Sequence, residues 1–285
     1  MSATSLRTIS RRTTLLVPFF APTMLRAREN PFGVLERRHG GRLGVGILNT
    51  HTGTRLYYRA QERFALCSTY KLLAVSLVLN RVDGKQEYLD RRILFSRDRL
   101  TPHSPVTEKY VNNGLTLAEI CEAALTVSDN TAANLILESF GGPPAITAYA
   151  RSLGDTFTRL DRTEPDLNEA APGDLRDTTT PRAMLQDLET IVMGDALSEA
   201  SRRQLITWLV ANKTGDRRLR AGLPEGWRAG DKTGSGSNGV SNDVAVAWPP
   251  ERRPLIITTY FTESKASDEQ RDLVLAEVGR VAASV

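Results

Sequence analysis

The sequence predicts an α/β (α+β) protein: one antiparallel sheet, flanked by helices and assembled from both chain ends, around an inserted all-helical lobe. Three observations carry this. Strand-like runs lie near both ends, at 43–48 and 55–59 and again at 227–232, 244–248 and 255–261. Between them, from Ser68 to about Leu209, apolar residues recur at helical spacing. A closing helix from about Asp268, read as its N-cap, offers Leu273, Ala276, Val278 and Val281 for packing. The expected units are an α/β lobe of residues 31–60 and 210–285 and a helical lobe of residues 61–209, with the active site between the lobes.

Taken in order, residues 1–30 have the layout of an export signal peptide: basic residues, then an apolar run from Leu15 to Leu25 broken by Pro18 and Pro22. Arg11-Arg12 sets a twin arginine before that run, so export as a folded protein and export as an unfolded chain are both open. Cleavage is expected between Ala21 and Asn30. Pro31 to Arg38 reads as a short helix with Phe32 and Leu35 on one side, and Thr52-Gly53 as the turn between the first two strands. Leu72, Val75, Leu79 and Val82 mark one helix, and Leu117, Ile120, Ala124 and Val127 another. Residues 159–180 form a long polar stretch with Pro165, Pro172 and Gly173, and loops of that length tend to be functional.

The chain of 285 residues, 40% of them hydrophobic, is long enough to bury a core. No stretch approaches the roughly 20 apolar residues needed to span a bilayer. The net charge of +4 does not indicate a nucleic-acid partner. Of 37 basic and 33 acidic residues, five and one lie in residues 1–30, which leaves 32 of each. The three histidines are scattered, without the spacing of a metal site, and no cofactor is expected. Cys67 and Cys121 are expected as two buried thiols, although an oxidising compartment would also permit a bridge.

Chemistry begins at Ser68-Thr69-Tyr70-Lys71. Helical positions i and i+3 share a face, so the Lys71 amine comes within reach of the Ser68 hydroxyl as a base. Alone this is weak, since such a pair arises about once by chance in a chain of this length. Ser128-Asp129-Asn130 adds a second hydroxyl to relay a proton and an amide for Lys71 and a substrate carbonyl. It equally suits the cap of a helix over 131–137. Lys232-Thr233-Gly234 occurs a second time as Lys213-Thr214-Gly215, and context separates the copies. Lys232 ends a strand pattern and precedes another strand, whereas Lys213 trails a helix. An edge strand with a lysine offers backbone pairing to an amide substrate and a cation for its carboxylate.

These three motifs in this order resemble the set found in class A β-lactamases and penicillin-binding proteins. The segments 64–71, 104–109, 128–134 and 176–181 look like class A segments as well, and the likeness runs from about residue 31 to the C-terminus. The resemblance implies hydrolysis of a β-lactam amide through a Ser68 acyl-enzyme. Arg162-Thr163-Glu164-Pro165-Asp166-Leu167-Asn168 is similar to the family's omega-loop, so Glu164 would activate the deacylating water and Asn168 would help hold it. Arg162 and Asp177 would pin the loop by an ion pair. Whether Lys71 or Glu164 takes the Ser68 proton stays open.

By the same resemblance, the backbone N–H groups of Ser68 and Ser235 form the oxyanion hole, and Ser128, Lys232, Thr233 and Ser235 hold the substrate carboxylate beside Gly234. Ser241 stands where many members place an arginine, so Arg218 and Arg271 are the candidate replacements. His103 takes the gate position usually held by an aromatic ring. Val75 removes one family cysteine pairing with Cys121, and Gly236 removes another with Cys67. The implied protein is an exported, periplasmic or secreted monomer that acts on a small β-lactam and confers antibiotic resistance. A penicillin-binding DD-peptidase or a non-catalytic β-lactam sensor shares the serine and lysine motifs but lacks the Glu164 loop. A serine esterase would need a G-x-S-x-G elbow, whereas Cys67 and Thr69 flank Ser68.

Overall fold

The computed structural model describes Met1 and residues 29–285. The export signal read over residues 1–30, with its twin arginine and cleavage point, therefore lies almost wholly outside the described residues. Asn30 caps α1 (Pro31–His39) by accepting from the Phe32 amide, and Pro31 opens the helix where its missing N–H costs nothing. The chain continues through β1 (Arg42–Asn49), β2 (Arg55–Tyr58) and β3 (Phe64–Ala65). Helix α2 (Tyr70–Asp83) follows, then β4 (Arg92–Ile93), β5 (Leu115–Thr116), α3 (Leu117–Thr126), α4 (Asn130–Ser139) and α5 (Pro143–Ser152). After β6 (Thr178–Thr179) come α6 (Pro181–Met193), α7 (Glu199–Val210) and the short α8 (Leu219–Gly222). The end is β7 (Arg228–Gly236), β8 (Val240–Trp248), β9 (Leu255–Thr262) and α9 (Asp268–Ala282).

The main sheet has the order β2-β1-β9-β8-β7, and every pairing in it is antiparallel. Strands β1 and β2 come from one end of the chain and β7–β9 from the other, with α2–α7 between them in sequence. Both faces of the sheet are covered. Val244, Val246, Ile256 and Tyr260 face the large core shared with α2–α7, which includes Leu72, Ile120, Ile136 and Leu188. Their neighbours Ala245, Ala247, Ile257 and Phe261 join Leu43, Val45 and Ile47 against Phe32 and Leu35 of α1 and Val274 and Val278 of α9. Burial on both faces is why residues 244–248 of β8 and 255–257 of β9 read as continuous apolar runs rather than alternating ones. Each fully buried side chain of this size contributes roughly 1.5–3 kcal/mol.

Three details differ from the sequence reading. Ser267, not Asp268, caps α9, and it exchanges hydrogen bonds with Gln270 in a capping box. Strand β7 runs on through Gly234, Ser235 and Gly236, so Lys232 sits inside the strand. Residues of low strand propensity hide that continuation, which the register against Asn242, Ser241 and Val240 maintains. The two small pairings, β3 with β6 and β4 with β5, carry no periodic signal because each strand has two residues.

Candidate active site

Ser68 lies in one 3₁₀ turn, Cys67–Thr69, that runs into α2. The turn is held by the Leu66 amide donating to the Asp177 carbonyl at 2.8 Å and by Asn242 Nδ2 donating to the Ala65 carbonyl at 2.8 Å. Cys67 has a φ of +42°, Ser128 of +59° and His103 of +63°. Left-handed backbone costs a side-chain-bearing residue about 1–2 kcal/mol, and three such residues gather around one cleft. That cleft, of about 360 Å³, is lined by Ser68, His103, Ser128, Asn130, Asn168, Thr214, Arg218, Thr233, Gly234 and Ser235.

Lys71, one turn after Ser68, is fully buried. Its ammonium donates to the Ser128 carbonyl at 2.8 Å, Ser128 Oγ at 3.2 Å and Asn130 Oδ1 at 2.6 Å. It also lies 3.0 Å from Glu164 Oε1. Burial lowers the Lys71 pKa, against the opposing attraction of Glu164. The Ser68 hydroxyl donates to Glu164 Oε1 at 3.4 Å. The sequence places Lys71 beside Ser68, and the structure brings Glu164 to both.

In Ser128-Asp129-Asn130 the middle residue caps α4 and the outer two line the cleft. The Asp129 carboxylate accepts from the Ala132 amide at the start of α4 and from Val106 N, Thr107 N and Thr107 Oγ1. Ser128 Oγ accepts from Lys71 on one side and from Lys232 at 3.2 Å on the other. Asn130 Nδ2 donates to the Pro102 carbonyl at 2.8 Å. Lys232 is fully buried, and burial together with the neighbouring Lys71 pulls its pKa down to about 7.

Residues 159–180 are anchored at both ends. Arg162 Nε donates to Asp177 Oδ2 at 2.6 Å, and Asp177 also accepts from the Asp161 and Arg162 amides. Asn134 of α4 grips the middle: its amide donates to the Glu164 carbonyl at 3.0 Å and accepts from the Glu164 N–H at 2.9 Å. Asn168 Nδ2 donates to Glu164 Oε2 at 2.5 Å, while Asn168 Oδ1 is buried without a hydrogen-bond partner.

Arg218 reaches the cleft rim. Its guanidinium pairs with Asp272 at 2.8 Å and donates to the Gly234 and Asn242 carbonyls and to Ser235 Oγ. Four of its five N–H groups are thereby engaged. Arg271 does not line the cleft. It donates to Ser241 Oγ at 3.2 Å and to the Ala266 carbonyl, and it pairs with Asp268. His103 lines the cleft with its Nε2 3.0 Å from the Val127 carbonyl. Cys67 and Cys121 are buried and unbonded, and burial pushes both thiols up. Among the described residues, no group of three His, Cys, Asp or Glu side chains is placed to hold a metal ion.

Sequence reading missed Asn134, Asn212, Thr214 and Asp231. Asp231 is buried under Lys232, paired with Arg220 and bonded by Asn212 Nδ2 at 2.7 Å. An Asp directly before the lysine of a strand motif is the only local signal that could have marked it.

A serine whose hydroxyl meets a buried lysine–glutamate pair at the edge of such a sheet defines a serine hydrolase of the acyl-enzyme kind. The chain belongs to the class A β-lactamase family. The family model described as the β-lactamase enzyme family matches residues 29–285. The chain is 49% identical over 247 residues to β-lactamase OXY-2 of Klebsiella oxytoca, covering 87% of this chain and 85% of that one. It is 47% identical over 266 residues to β-lactamase Toho-1 of Escherichia coli, covering 92% and 91%. Among solved structures, an ancestral (GNCA) class A β-lactamase superposes with a TM-score of 0.87 at 61% identity, covering 88% of this chain and 97% of that one. A putative class A β-lactamase, PenP, from Rhodopseudomonas palustris gives 0.88 at 58%, covering 89% and 98%.

Proposed function

We propose that this enzyme hydrolyses β-lactam antibiotics through an acyl-enzyme on Ser68, released by a water that Glu164 activates. The observation that carries this is a single carboxylate oxygen, Glu164 Oε1, 3.4 Å from the nucleophile and 3.0 Å from Lys71. An acyl-binding relative needs no base there; a hydrolase does.

The steps follow from the donors. Ser68 Oγ attacks the lactam carbonyl and its proton passes to the Lys71–Glu164 pair. Negative charge on the carbonyl oxygen is met by the backbone N–H groups of Ser68 and Ser235, where losing one such donor costs roughly 10²–10³ in rate. Ser128 Oγ accepts from two ammonium groups, so its own hydrogen is free for the lactam nitrogen as the C–N bond breaks, and the proton taken from Ser68 then passes through Lys71 to Ser128 Oγ, leaving Glu164 unprotonated for deacylation. Asn130 orients the acyl-amide side, and His103 walls the cleft mouth. Lys232, Thr233, Gly234 and Ser235 of β7, with Arg218, receive the carboxylate, and Arg271 acts only through Ser241. In deacylation Glu164 takes a proton from water, the hydroxide attacks the ester carbonyl, and Ser68 Oγ leaves and is reprotonated. Asn168 Oδ1 supplies an unused acceptor for that water beside Glu164.

We further propose that residues 1–30 direct export, that the folded enzyme acts as a monomer in the periplasm, and that it needs no cofactor or nucleic acid. No described helix is long and apolar enough to cross a membrane. Deleting the leader should leave active enzyme that no longer protects cells from penicillin.

The decisive experiment is mass spectrometry with benzylpenicillin. Ser68→Ala should show no adduct, and Glu164→Ala should accumulate a long-lived one while the wild type turns over many substrates. A wild type that stops after one acylation would make the protein a peptidase or sensor. Near-normal turnover by Glu164→Ala would remove the base assignment.

A further inference from the structure

We propose that Thr214, outside all three motifs, sets how tightly the substrate carboxylate is held by keeping the Thr233 hydroxyl hydrogen turned away from the cleft. This rests on the reading that Thr233 contacts that carboxylate.

The argument is a count of hydrogens. Asn212 Nδ2 donates to Asp231 Oδ2 at 2.7 Å, and the Thr214 backbone N–H donates to Asn212 Oδ1 at 3.0 Å. The Asn212 amide is therefore fixed from both sides, and Oδ1 can only accept. Thr214 Oγ1 lies 2.8 Å from the same Oδ1, so it must donate there its single hydrogen. The contact between Thr214 Oγ1 and Thr233 Oγ1 is 2.5 Å, and its hydrogen can come only from Thr233. Thr233 thus faces the cleft with lone pairs alone. Its neighbours differ: Ser235 Oγ accepts from Arg218, and Ser128 Oγ accepts from two lysines, so both keep a hydrogen for substrate.

A carboxylate offers only acceptors. Thr233 must reverse to bind it, and the reversal breaks either its bond to Thr214 or the Thr214–Asn212 bond. Carboxylate binding is weakened by about the worth of one neutral hydrogen bond, two- to tenfold. Thr214 is in this sense a specificity-determining residue, a brake on substrates that depend on their carboxylate.

The test measures Kd for benzylpenicillin and for its methyl ester in a Ser68→Ala background, where no acylation intervenes. Adding Thr214→Val, close in shape but without the accepting oxygen, should tighten binding of the acid about two- to tenfold and leave the ester unmoved. Thr214→Ser, which keeps that oxygen, should return the acid to its parent value. If Thr214→Val lowers the yield of folded protein, Thr214→Ala carries the same expectation. Equal or weaker acid binding in both oxygen-free variants would overturn the proposal. Acid and ester binding alike already in the Ser68→Ala parent would instead remove the carboxylate reading of the site.

Discussion

The two Lys-Thr-Gly tripeptides have the same composition and opposite surroundings. Lys232-Thr233-Gly234 lies inside β7, its lysine fully buried between Ser128 Oγ and the Thr233 carbonyl at 2.9 Å. Lys213-Thr214-Gly215 follows α7, its lysine exposed, its backbone N–H donated to the Thr126 carbonyl. The copies touch through their threonines, and the loop begun by Lys213 carries Arg218 back to β7. The loop copy has the more demanding glycine. A Cβ on Gly215 would stand 1.9 Å from the Asp231 carboxylate, whereas one on Gly234 would meet nothing nearer than 3.1 Å. Register against a neighbouring strand, not residue type, sets one copy in the strand beside the cleft and leaves the other in the loop that packs on it.

The largest contrast should come from the lysines. Lys232→Ala is expected to lower kcat/KM for penicillins roughly 10- to 150-fold, the worth of a charged hydrogen bond, and Lys213→Ala less than twofold. Equal losses would erase the functional distinction between the copies. Protonation gives a second handle. With its pKa pulled down to about 7, Lys232 loses its charge as pH rises, so kcat/KM for a carboxylate substrate should fall above that value and level off at no more than the roughly 10- to 150-fold loss expected of Lys232→Ala. Lys232→Arg keeps its charge and should flatten this limb; a wild-type profile already flat from about pH 7 to 9 would contradict the assignment.

The loop that supports β7 is probed by its arginine. Arg218→Ala should cost about tenfold in kcat/KM, the low end for a charged contact because four N–H groups already serve the protein, with Arg271→Ala costing less. The reverse ranking would move the second cation to α9. The clearest effect on stability belongs to Gly215. Its change to alanine should lose about 1–3 kcal/mol in urea unfolding, as overpacking does, with Gly234→Ala losing less.

Much of the site was legible because it is local. Ser68 and Lys71 are spaced to share a helix face, Ser128 and Asn130 flank a cap, and Glu164 was singled out by the likeness of residues 162–168 to the family's omega-loop. What stayed hidden depends on distant segments meeting. Asn134 reaches Glu164 across 30 positions, and Asn212 reaches Asp231 across 19. No periodicity marks a side chain whose partner is fixed by tertiary register. The continuation of β7 was missed for the same reason, since Gly234 to Gly236 form strand only because β8 lies alongside.

The pairing of β1 with β9 also has a consequence for how the molecule is made. Arg42 lies opposite Thr262 and Asn49 opposite Leu255, so the first long strand to leave the ribosome finds its central partner only when synthesis is almost finished. Until then the β1–β2 hairpin presents an open edge and its apolar face to the surrounding water. Contacts of such long sequence separation are the slow ones to form, whereas helix–helix contacts between neighbours in the chain are the fast ones. A nascent chain halted before β9 therefore lacks the strand that joins β1 to β8, and its two sheet halves have nothing to close on.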